Sequence, residues 1–370
     1  MKIMVIRDRN VLNTKFLGQF VNNLVDSKHD VHVVCHTFNK IGKGVEFDKR
    51  IKFTNLNGKT KNPLKNIWRK FKEIFLPSAL DFDKIIKKEQ PDVIICYFFV
   101  DLFNVTFLQK HSIPIIMMMH GYPLRMFGDV EKKGWLKKRL YKEALNKVDC
   151  FHVLMNSFKS EVEALYPQAK VAVVPNAIVQ VEKPADLSVE KKKLVYVARV
   201  EKGIKRQHLA VEAFGRIAKD FPGWTMEFYG LEKYKDYNQE LMDLAAKYNI
   251  GDRVKIMGYA QDVLEVYKSA DIQVFPSRSE GFSLALADGM AAGIPAIGFA
   301  DAHSVNELIV DGYNGFLVND VEEFASKLKE LMQNKDLRIK FGANAVESVK
   351  QYTPEIVNQK WYDLLDEIVG

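Results

Sequence analysis

The sequence predicts an α/β protein made of two doubly wound domains, each with a parallel sheet covered by helices. Its 370 residues exceed what one hydrophobic core normally serves. Short continuous apolar runs alternate with amphipathic stretches of about ten residues, which is the pattern of buried parallel strands and crossover helices. Both halves of the chain show this alternation, so we expect two similar domains.

The first half predicts an N-terminal Rossmann-like domain over residues 1–178. Its expected strands are residues 3–7, 31–35, 92–98, 114–119, 150–155 and 171–175. The following segment, residues 179–193, is polar, contains Pro184 and lacks a hydrophobic period, which is typical of a linker.

The second half predicts a C-terminal Rossmann-like domain over residues 194–352. Its expected strands are residues 194–199, 224–230, 254–258, 272–276 and 294–299. Its expected helices lie near residues 205–220, 237–249, 262–269, 282–292, 320–333 and 335–350. Residues 353–370 are amphipathic and are expected to form a helix that packs back towards the N-terminal domain. Two such domains are expected to face a central cleft with the carboxyl ends of their strands.

Composition excludes several classes of protein. Cys35, Cys96 and Cys150 are too few and too widely spaced for a disulfide framework or a four-cysteine zinc site. No apolar stretch reaches the roughly 18 to 20 residues of a membrane helix, and residues 1–10 lack the features of a secretory signal. These observations predict a soluble, cytoplasmic protein.

Residues 277–299 are the most informative segment. A strand is expected to end near Pro276 and a helix to open at about Phe282, so the amides of Phe282, Ser283 and Leu284 would be unpaired and available to an anion. Glu280 precedes these amides and Asp288 follows eight residues later. The alternative interpretation makes Glu280 a first-turn acid that suits the helix dipole, and Asp288 a helix-surface charge.

Two further segments carry candidate binding residues. Arg199 ends a predicted strand and Lys205 begins a helix six residues later, so the two cations could hold a diphosphate; the alternative is a solvated basic loop. His120 follows the apolar run 114–119 and could bind a sugar hydroxyl or a developing charge. A structural histidine is the alternative there, and it is our interpretation of His152.

Motifs spread over most of the chain resemble the retaining glycosyltransferases of the GT-B fold, specifically glycosyltransferase family 4. They are VVPNAI (173–178), ARVEKGIKRQHLAVEAF (198–214), MGYAQDVLEVYKSADIQVFPS (257–277), EGFSLALADGMAAGIPAIG (280–298) and DGYNGFLV (311–318). The resemblance implies a hexosyltransferase that moves a hexose or N-acetylhexosamine from a nucleotide diphosphate sugar, with UDP the expected nucleotide. It implies a lipid-linked or cell-surface glycan acceptor, of lipopolysaccharide, capsule, teichoic acid or exopolysaccharide type, and retention of configuration.

Residue roles follow from the same resemblance. Arg199 and Lys205 match the pair that holds the donor diphosphate, and the amides of residues 282–284 complete that cradle. Glu280 matches the acid that contacts the transferred sugar, and His120 matches the histidine near its anomeric centre. Asp288 replaces the second glutamate of the E-x7-E motif and is still expected to bind the ribose, while Tyr259 is expected near the base.

The sequence departs from the family at residues 7–16, where RDRNVLNTKF contains none of the glycines often found after the first strand. The backbone is therefore less able to approach a phosphate there. The pair Asp81 and Asp83 resembles a metal-binding D-x-D motif, but a helix follows and capping explains the carboxylates better. No metal and no cofactor are expected, and we predict activity without a divalent cation.

Charge divides unevenly along the chain: residues 1–180 carry +13 and residues 181–370 carry −6. Two clusters, residues 59–75 and 131–145, mix lysine and arginine with tryptophan, which suits a helix at an anionic bilayer surface. The prediction is a peripheral enzyme at the inner face of the cell membrane, the alternative being a solvated basic face. No nucleic-acid-binding motif accompanies the charge, so nucleic acid is not an expected partner.

Other functions remain open at this point. A catalytically silent GT-B binding or scaffold subunit of a glycosylation complex is the main alternative, because Asp288 and the missing glycines depart from the pattern of the family. A sugar–nucleotide epimerase or a phosphorylase shares the fold but needs a different sugar site, or a longer chain with a pyridoxal lysine. A nicotinamide oxidoreductase is disfavoured because no G-x-G-x-x-G follows a strand.

Overall fold

The structure is a computed structural model of the chain. It describes residues 1–7, 15–35, 46–56, 79–107, 111–232 and 235–370. Within them the chain divides into two compact units, one formed by Met1–Val174 with Asn358–Gly370 and the other by Pro175–Val357. Among the described residues, no helix is both long enough and apolar enough to cross a membrane.

The first unit is built on a parallel sheet with strand order β3-β2-β1-β4-β5-β6-β7. The strands are β1 (Lys2–Arg7), β2 (Asp30–Cys35), β3 (Lys52–Asn55), β4 (Val93–Cys96), β5 (Ile115–Met118), β6 (Cys150–Val153) and β7 (Lys170–Val173). The helices are α1 (Lys15–Asp26), α2 (Ala79–Glu89), α3 (Phe99–Thr106), α4 (Pro123–Glu131), α5 (Trp135–Leu145) and α6 (Asn156–Leu165). Strands β4, β5 and β6 are wholly buried, as expected of central parallel strands.

The second unit repeats this plan with the order β10-β9-β8-β11-β12-β13, again parallel. Its strands are β8 (Lys193–Val197), β9 (Thr225–Tyr229), β10 (Val254–Gly258), β11 (Ile272–Phe275), β12 (Ala296–Phe299) and β13 (Gly315–Val318). Its helices are α7 (Gln207–Ile217), α8 (Lys235–Lys247), α9 (Val263–Lys268), α10 (Leu284–Ala291), α11 (Val305–Leu308), α12 (Val321–Gln333) and α13 (Lys335–Val349). The predicted α/β class with two Rossmann-like units is confirmed.

Helix α14 (Pro354–Val369) begins in the second unit and belongs to the first from Asn358 onwards. Within the first unit Trp361 packs on Phe20 and His152, at ring-centroid distances of 4.8 and 4.5 Å. His152 is buried and its Nε2 lies 2.7 Å from the carbonyl oxygen of Val174. His152 therefore has a packing role, in agreement with its structural interpretation.

The segment 179–193 packs within the second unit. Leu187 is buried, the Ala185 amide donates to the Ala292 carbonyl at 2.7 Å, and the Lys191 amide donates to the buried Asp271 carboxylate. Two strands and one short helix are additional to those predicted: β3, β13 and α11. The helix expected to open at Phe282 begins at Leu284 instead.

Candidate active site

The strand order of the second unit reverses between β8 and β11, which pair side by side. In an open α/β sheet, ligands bind outside the carboxyl ends of the strands at such a switch point. The loop after β8 carries Arg199 and Lys205, and the loop after β11 carries Ser277 and Glu280. The topology thus brings two predicted segments, 75 residues apart, to one edge of one sheet.

Lys205 and Glu280 form a salt bridge between Nζ and Oε1. Their side chains are only 14% and 16% exposed, so the pair lies in a largely desolvated environment. The backbone also joins the two loops, because the Arg278 amide donates to the Ile204 carbonyl at 2.8 Å. The structure therefore brings the predicted diphosphate-binding cation and the predicted sugar-binding acid into direct contact.

Two residues that the sequence did not indicate support Glu280. The Ser277 hydroxyl donates to Oε1 of Glu280 at 2.6 Å, and the Tyr196 hydroxyl lies 2.6 Å from Ser277 Oγ. Both Tyr196 and Ser277 are buried. A signal was present, because Ser277-x-x-Glu280 has the spacing of a capping box, in which a serine and a glutamate are brought close and each side chain bonds the backbone of the other residue.

Arg206 is a further residue that the sequence did not indicate. Its guanidinium donates to the carbonyl oxygens of Pro276 and Ser277, at 2.8 and 3.2 Å, and stacks over Phe299 at 4.5 Å. The guanidinium therefore holds the backbone of the loop that carries Glu280. Arg206 is adjacent to Lys205 in sequence, and the structure shows that the two side chains have different partners. Arg206 binds the backbone of this loop, whereas Lys205 pairs with Glu280.

The start of α10 corrects one expectation about the amides of residues 282–284. The Ser283 amide donates to Ser304 Oγ at 3.1 Å, and the Leu284 amide donates to the Phe282 carbonyl at 2.7 Å. The expectation that all three amides are unpaired is therefore wrong for these two. The reason is the loop before α11, where Ser304 adopts a left-handed conformation (φ 72°) and places its hydroxyl against α10. Their part in donor binding stays a prediction.

The remaining candidates of the second unit are more exposed. The Arg199 side chain is 60% exposed, and its guanidinium lies 3.8 Å from Glu201. Tyr259 follows β10 and is 71% exposed. Asp288 is half-buried in the second turn of α10. The roles of these residues at the diphosphate, base and ribose stay predictions.

His120 lies in the first unit, just after β5, near the point where that sheet reverses between β1 and β4. Its ring stacks on Tyr97 at 4.5 Å, and the Arg7 guanidinium lies over Tyr97, also at 4.5 Å. Burial, with smaller contributions from His152 and Arg7, lowers the pKa of His120 to about 3. The imidazole is therefore neutral at physiological pH and suits hydrogen bonding rather than ion pairing.

The sequence also raised a metal motif and two basic clusters. Asp81 and Asp83 lie inside α2, and Asp83 pairs with Lys87 one turn later at 2.6 Å. Over the residues that the structure describes, no group of three or more metal-ligating side chains comes together. The cluster 59–75 and most of the glycine-free segment 7–16 lie outside the described residues.

The cluster 131–145 spans the turn between α4 and α5. Trp135 and Leu136 begin α5 and are 74% and 58% exposed. Glu131 pairs with Lys138 and with Lys142, the latter at 2.7 Å, and so neutralises part of the local charge. Two large apolar side chains thus project from a basic turn.

Comparison with known proteins identifies the class to which this fold and site belong. The sequence model described as glycosyl transferases group 1 matches residues 179–348, and the model described as glycosyltransferase family 4 matches residues 14–179. Together they cover nearly the whole chain. The chain belongs to the group 1, family 4 glycosyltransferases.

Individual relatives are more distant. The exopolysaccharide phosphotransferase SCO2592 of Streptomyces coelicolor is 29% identical over 228 residues, an alignment that spans 60% of this chain but only 24% of that protein. The poly(ribitol-phosphate) alpha-N-acetylglucosaminyltransferase of Staphylococcus aureus is 21% identical, over 94% of this chain and 70% of its own. Among solved structures, a Staphylococcus aureus TarM mutant in complex with fondaparinux, alpha-GlcNAc-glycerol and UDP has a TM-score of 0.74 at 14% identity, over 99% of each chain. This last likeness shows the shared fold.

Proposed function

We propose that the protein is a retaining glycosyltransferase that moves a hexose or N-acetylhexosamine from a UDP-sugar to a glycan or polyol-phosphate polymer of the cell envelope. The observation that carries the proposal is the largely buried Lys205–Glu280 pair at the switch point of the second sheet. A UDP-bound TarM shares the fold, and the relative that aligns with 94% of this chain is named for transfer of N-acetylglucosamine to poly(ribitol-phosphate). These relatives support the choice of nucleotide and of acceptor class.

The proposed reaction is a group transfer. The bond between the anomeric carbon and the diphosphate oxygen breaks, and the diphosphate leaves with the electron pair. The acceptor hydroxyl attacks the anomeric carbon on the same face and passes its proton to the leaving phosphate, so that configuration is retained. Arg199 and Lys205 stabilise the charge that develops on the diphosphate, and Glu280 binds hydroxyls of the transferred sugar.

Nucleotide binding tests the donor site, because a ligand that binds only the folded state raises the melting temperature. We expect UDP to stabilise the protein in excess chelator, and GDP and ADP to do so less. Lys205→Ala should abolish most of this shift because it removes a charge-assisted contact to phosphate. Lys202→Ala is the matched control, since Lys202 lies on the same loop and pairs with Glu240 at the surface.

Two results would contradict the donor-site proposal. One is a melting temperature unaffected by all three nucleotides. The other is an equal loss of the UDP shift in the Lys202 and Lys205 variants, which would indicate general electrostatic attraction rather than a defined contact. A shift that requires added divalent cation would overturn the metal-independent part of the proposal.

We further propose that the protein acts at the cytoplasmic face of the membrane and contacts it through the turn between α4 and α5. Trp135 and Leu136 supply apolar side chains at the bilayer boundary, and Lys132, Lys133 and Lys137 supply the charge. Lys137 has no ion-pair partner among the described residues, whereas Lys133 lies 5.4 Å from the Tyr141 ring. The lysines complement anionic headgroups and the two apolar side chains complement the acyl region, so this surface suits binding to an anionic phospholipid bilayer.

Flotation with vesicles tests the membrane contact. The protein should rise with vesicles that contain anionic lipid and remain behind in high salt, because exposed charges are screened. A variant with Trp135→Ser and Leu136→Ser should lose flotation, whereas Leu165→Ser, at another exposed leucine of the same unit, should keep it. Flotation that is indifferent to lipid charge, or unchanged in the double variant, would contradict the proposal.

A further inference from the structure

The geometry points to Ser277 and Tyr196 as positioning residues that orient the Glu280 carboxylate towards the transferred sugar. This inference rests on the proposed function and adds two residues to it. The three side chains form a continuous hydrogen-bonded chain, from Tyr196 at the end of β8 through Ser277 to Glu280, with both links at 2.6 Å. It crosses from β8 to the loop after β11, the two strands that define the switch point.

The direction of each hydrogen bond follows from chemistry. An ionised carboxylate only accepts, so the single hydroxyl hydrogen of Ser277 is used on Glu280. The Tyr196 hydroxyl must then donate to Ser277 Oγ. Burial raises the pKa of Tyr196 well above its ordinary value, so the phenol stays protonated and keeps that donor. The donors of the chain therefore all point towards Glu280.

In this arrangement the two carboxylate oxygens of Glu280 differ in their hydrogen bonding. Oε1 accepts from both Ser277 and Lys205, while Oε2 has no hydrogen-bond partner among the described residues. When a diphosphate engages Lys205, Ser277 is the donor that still holds Oε1. The carboxylate then keeps its orientation, with Oε2 available to accept from a sugar hydroxyl. The contribution of Ser277 is thus expected chiefly when the sugar is present.

The backbone of the loop has its own support, so removal of the serine hydroxyl should leave the loop in place. Arg206 holds the carbonyl oxygens of Pro276 and Ser277, and the Glu280 amide donates to the His303 carbonyl at 3.3 Å. Ser279 lies in the same loop, and its side chain makes no hydrogen bond within the described part of the chain. Ser279→Ala is therefore the matched control for Ser277→Ala.

Comparison of UDP with UDP-sugars separates orientation of Glu280 from general damage. Calorimetric titration with UDP, UDP-glucose and UDP-N-acetylglucosamine should show that Ser277→Ala binds UDP within about twofold of wild type. Affinity for the preferred UDP-sugar should fall about tenfold, as expected for one hydrogen bond to a charged group. Turnover should fall as well, Ser277→Thr should restore both, and Tyr196→Phe should show a smaller loss of the same kind. Ser279→Ala should behave as wild type.

The results that would overturn the inference differ from those that would overturn the proposed function. If wild type binds UDP-sugars but Ser277→Ala keeps their full affinity and turnover, the inference is wrong and the proposed function stands. Equal losses for UDP and UDP-sugar, or failure of threonine to restore binding, would assign Ser277 a merely structural role and also overturn the inference. If wild type binds no nucleotide at all, both fail together.

Discussion

Burial determines the protonation state of His120. The ring lies between Tyr97 and His152, and burial lowers its pKa to about 3. A lowered pKa means that the proton is lost well below neutrality, so His120 carries no charge over the range in which an enzyme of this class works. The residue can donate or accept a hydrogen bond at a sugar hydroxyl, but it cannot serve as a cation for the diphosphate.

A direct prediction concerns the titration of this imidazole. Between pH 5 and 8 we expect the His120 ring signals in a two-dimensional NMR spectrum to stay constant, and the pH profile of kcat/KM to show no limb from His120. His120→Asn assigns the signals and keeps a neutral hydrogen-bonding group. A ring that titrates near its ordinary value of about 6.5 would contradict this account of burial.

The sequence alone predicted some residues of the site and missed others. The sequence indicated Lys205 and Glu280 because they lie at predicted helix starts that follow strands, and it indicated His120 because it follows an apolar run at a predicted strand end. It did not indicate Ser277, Tyr196 or Arg206. Tyr196 lies inside a predicted strand, where an aromatic side chain is ordinarily core. Pairing of its hydroxyl with Ser277, 81 residues later, depends on which strands are neighbours, and local pattern does not contain that information.

The edge where β8 and β9 end depends on a glycine. Gly230 follows β9 with φ 153°, and a Cβ placed there would lie 2.1 Å from the carbonyl oxygen of Ala198. That carbonyl directly precedes Arg199, so the close approach shapes the loop that carries the predicted phosphate-binding cations. The Gly230 amide also donates to the Gly258 carbonyl at 2.7 Å, which joins β9 to β10 at the same edge.

Substitution of these two glycines compares backbone strain with and without a steric overlap. Gly230→Ala should destabilise the protein by about 2 kcal/mol or more, because the methyl group collides with fixed backbone and the residue also has a positive φ. Gly258→Ala has a positive φ of 74° but open space around its Cβ, so we expect only about 1 kcal/mol. Urea unfolding of both variants checks the order, and equal stability losses would contradict the steric explanation.

The two strands that the sequence missed both lie at the edge of a sheet. β3 is half-exposed at the edge of its sheet and has no continuous apolar run, and β13 is a four-residue edge strand. Central strands such as β4 and β5 are fully buried and read as unbroken apolar segments. Pattern reasoning therefore predicted every central strand and the edge strands β7 and β10, and it missed the edge strands β3 and β13.

The chain as a whole repeats one construction, and its two sequence halves have opposite charge. Residues 1–180 carry +13 and residues 181–370 carry −6, yet both units contain a parallel sheet whose strand order reverses after its first strand. Duplicated alternation in the sequence sufficed to predict this plan. The alternation of strands and helices does not encode the sugar, the nucleotide or the acceptor, because recognition of these depends on individual side chains rather than on the fold.

Transfer of labelled sugar tests the proposed reaction. Purified protein should move sugar from UDP-hexoses or UDP-N-acetylhexosamines into envelope polymers, in excess chelator and with release of UDP. Glu280→Gln should reduce this transfer about a hundredfold or more, because it removes a fixed charge at the sugar. Glu240→Gln, at a surface ion pair, should retain wild-type transfer. Transfer by Glu280→Gln at the wild-type rate, or no transfer from any of these donors by the wild-type protein, would contradict the assignment of the Lys205–Glu280 pair as the catalytic donor site.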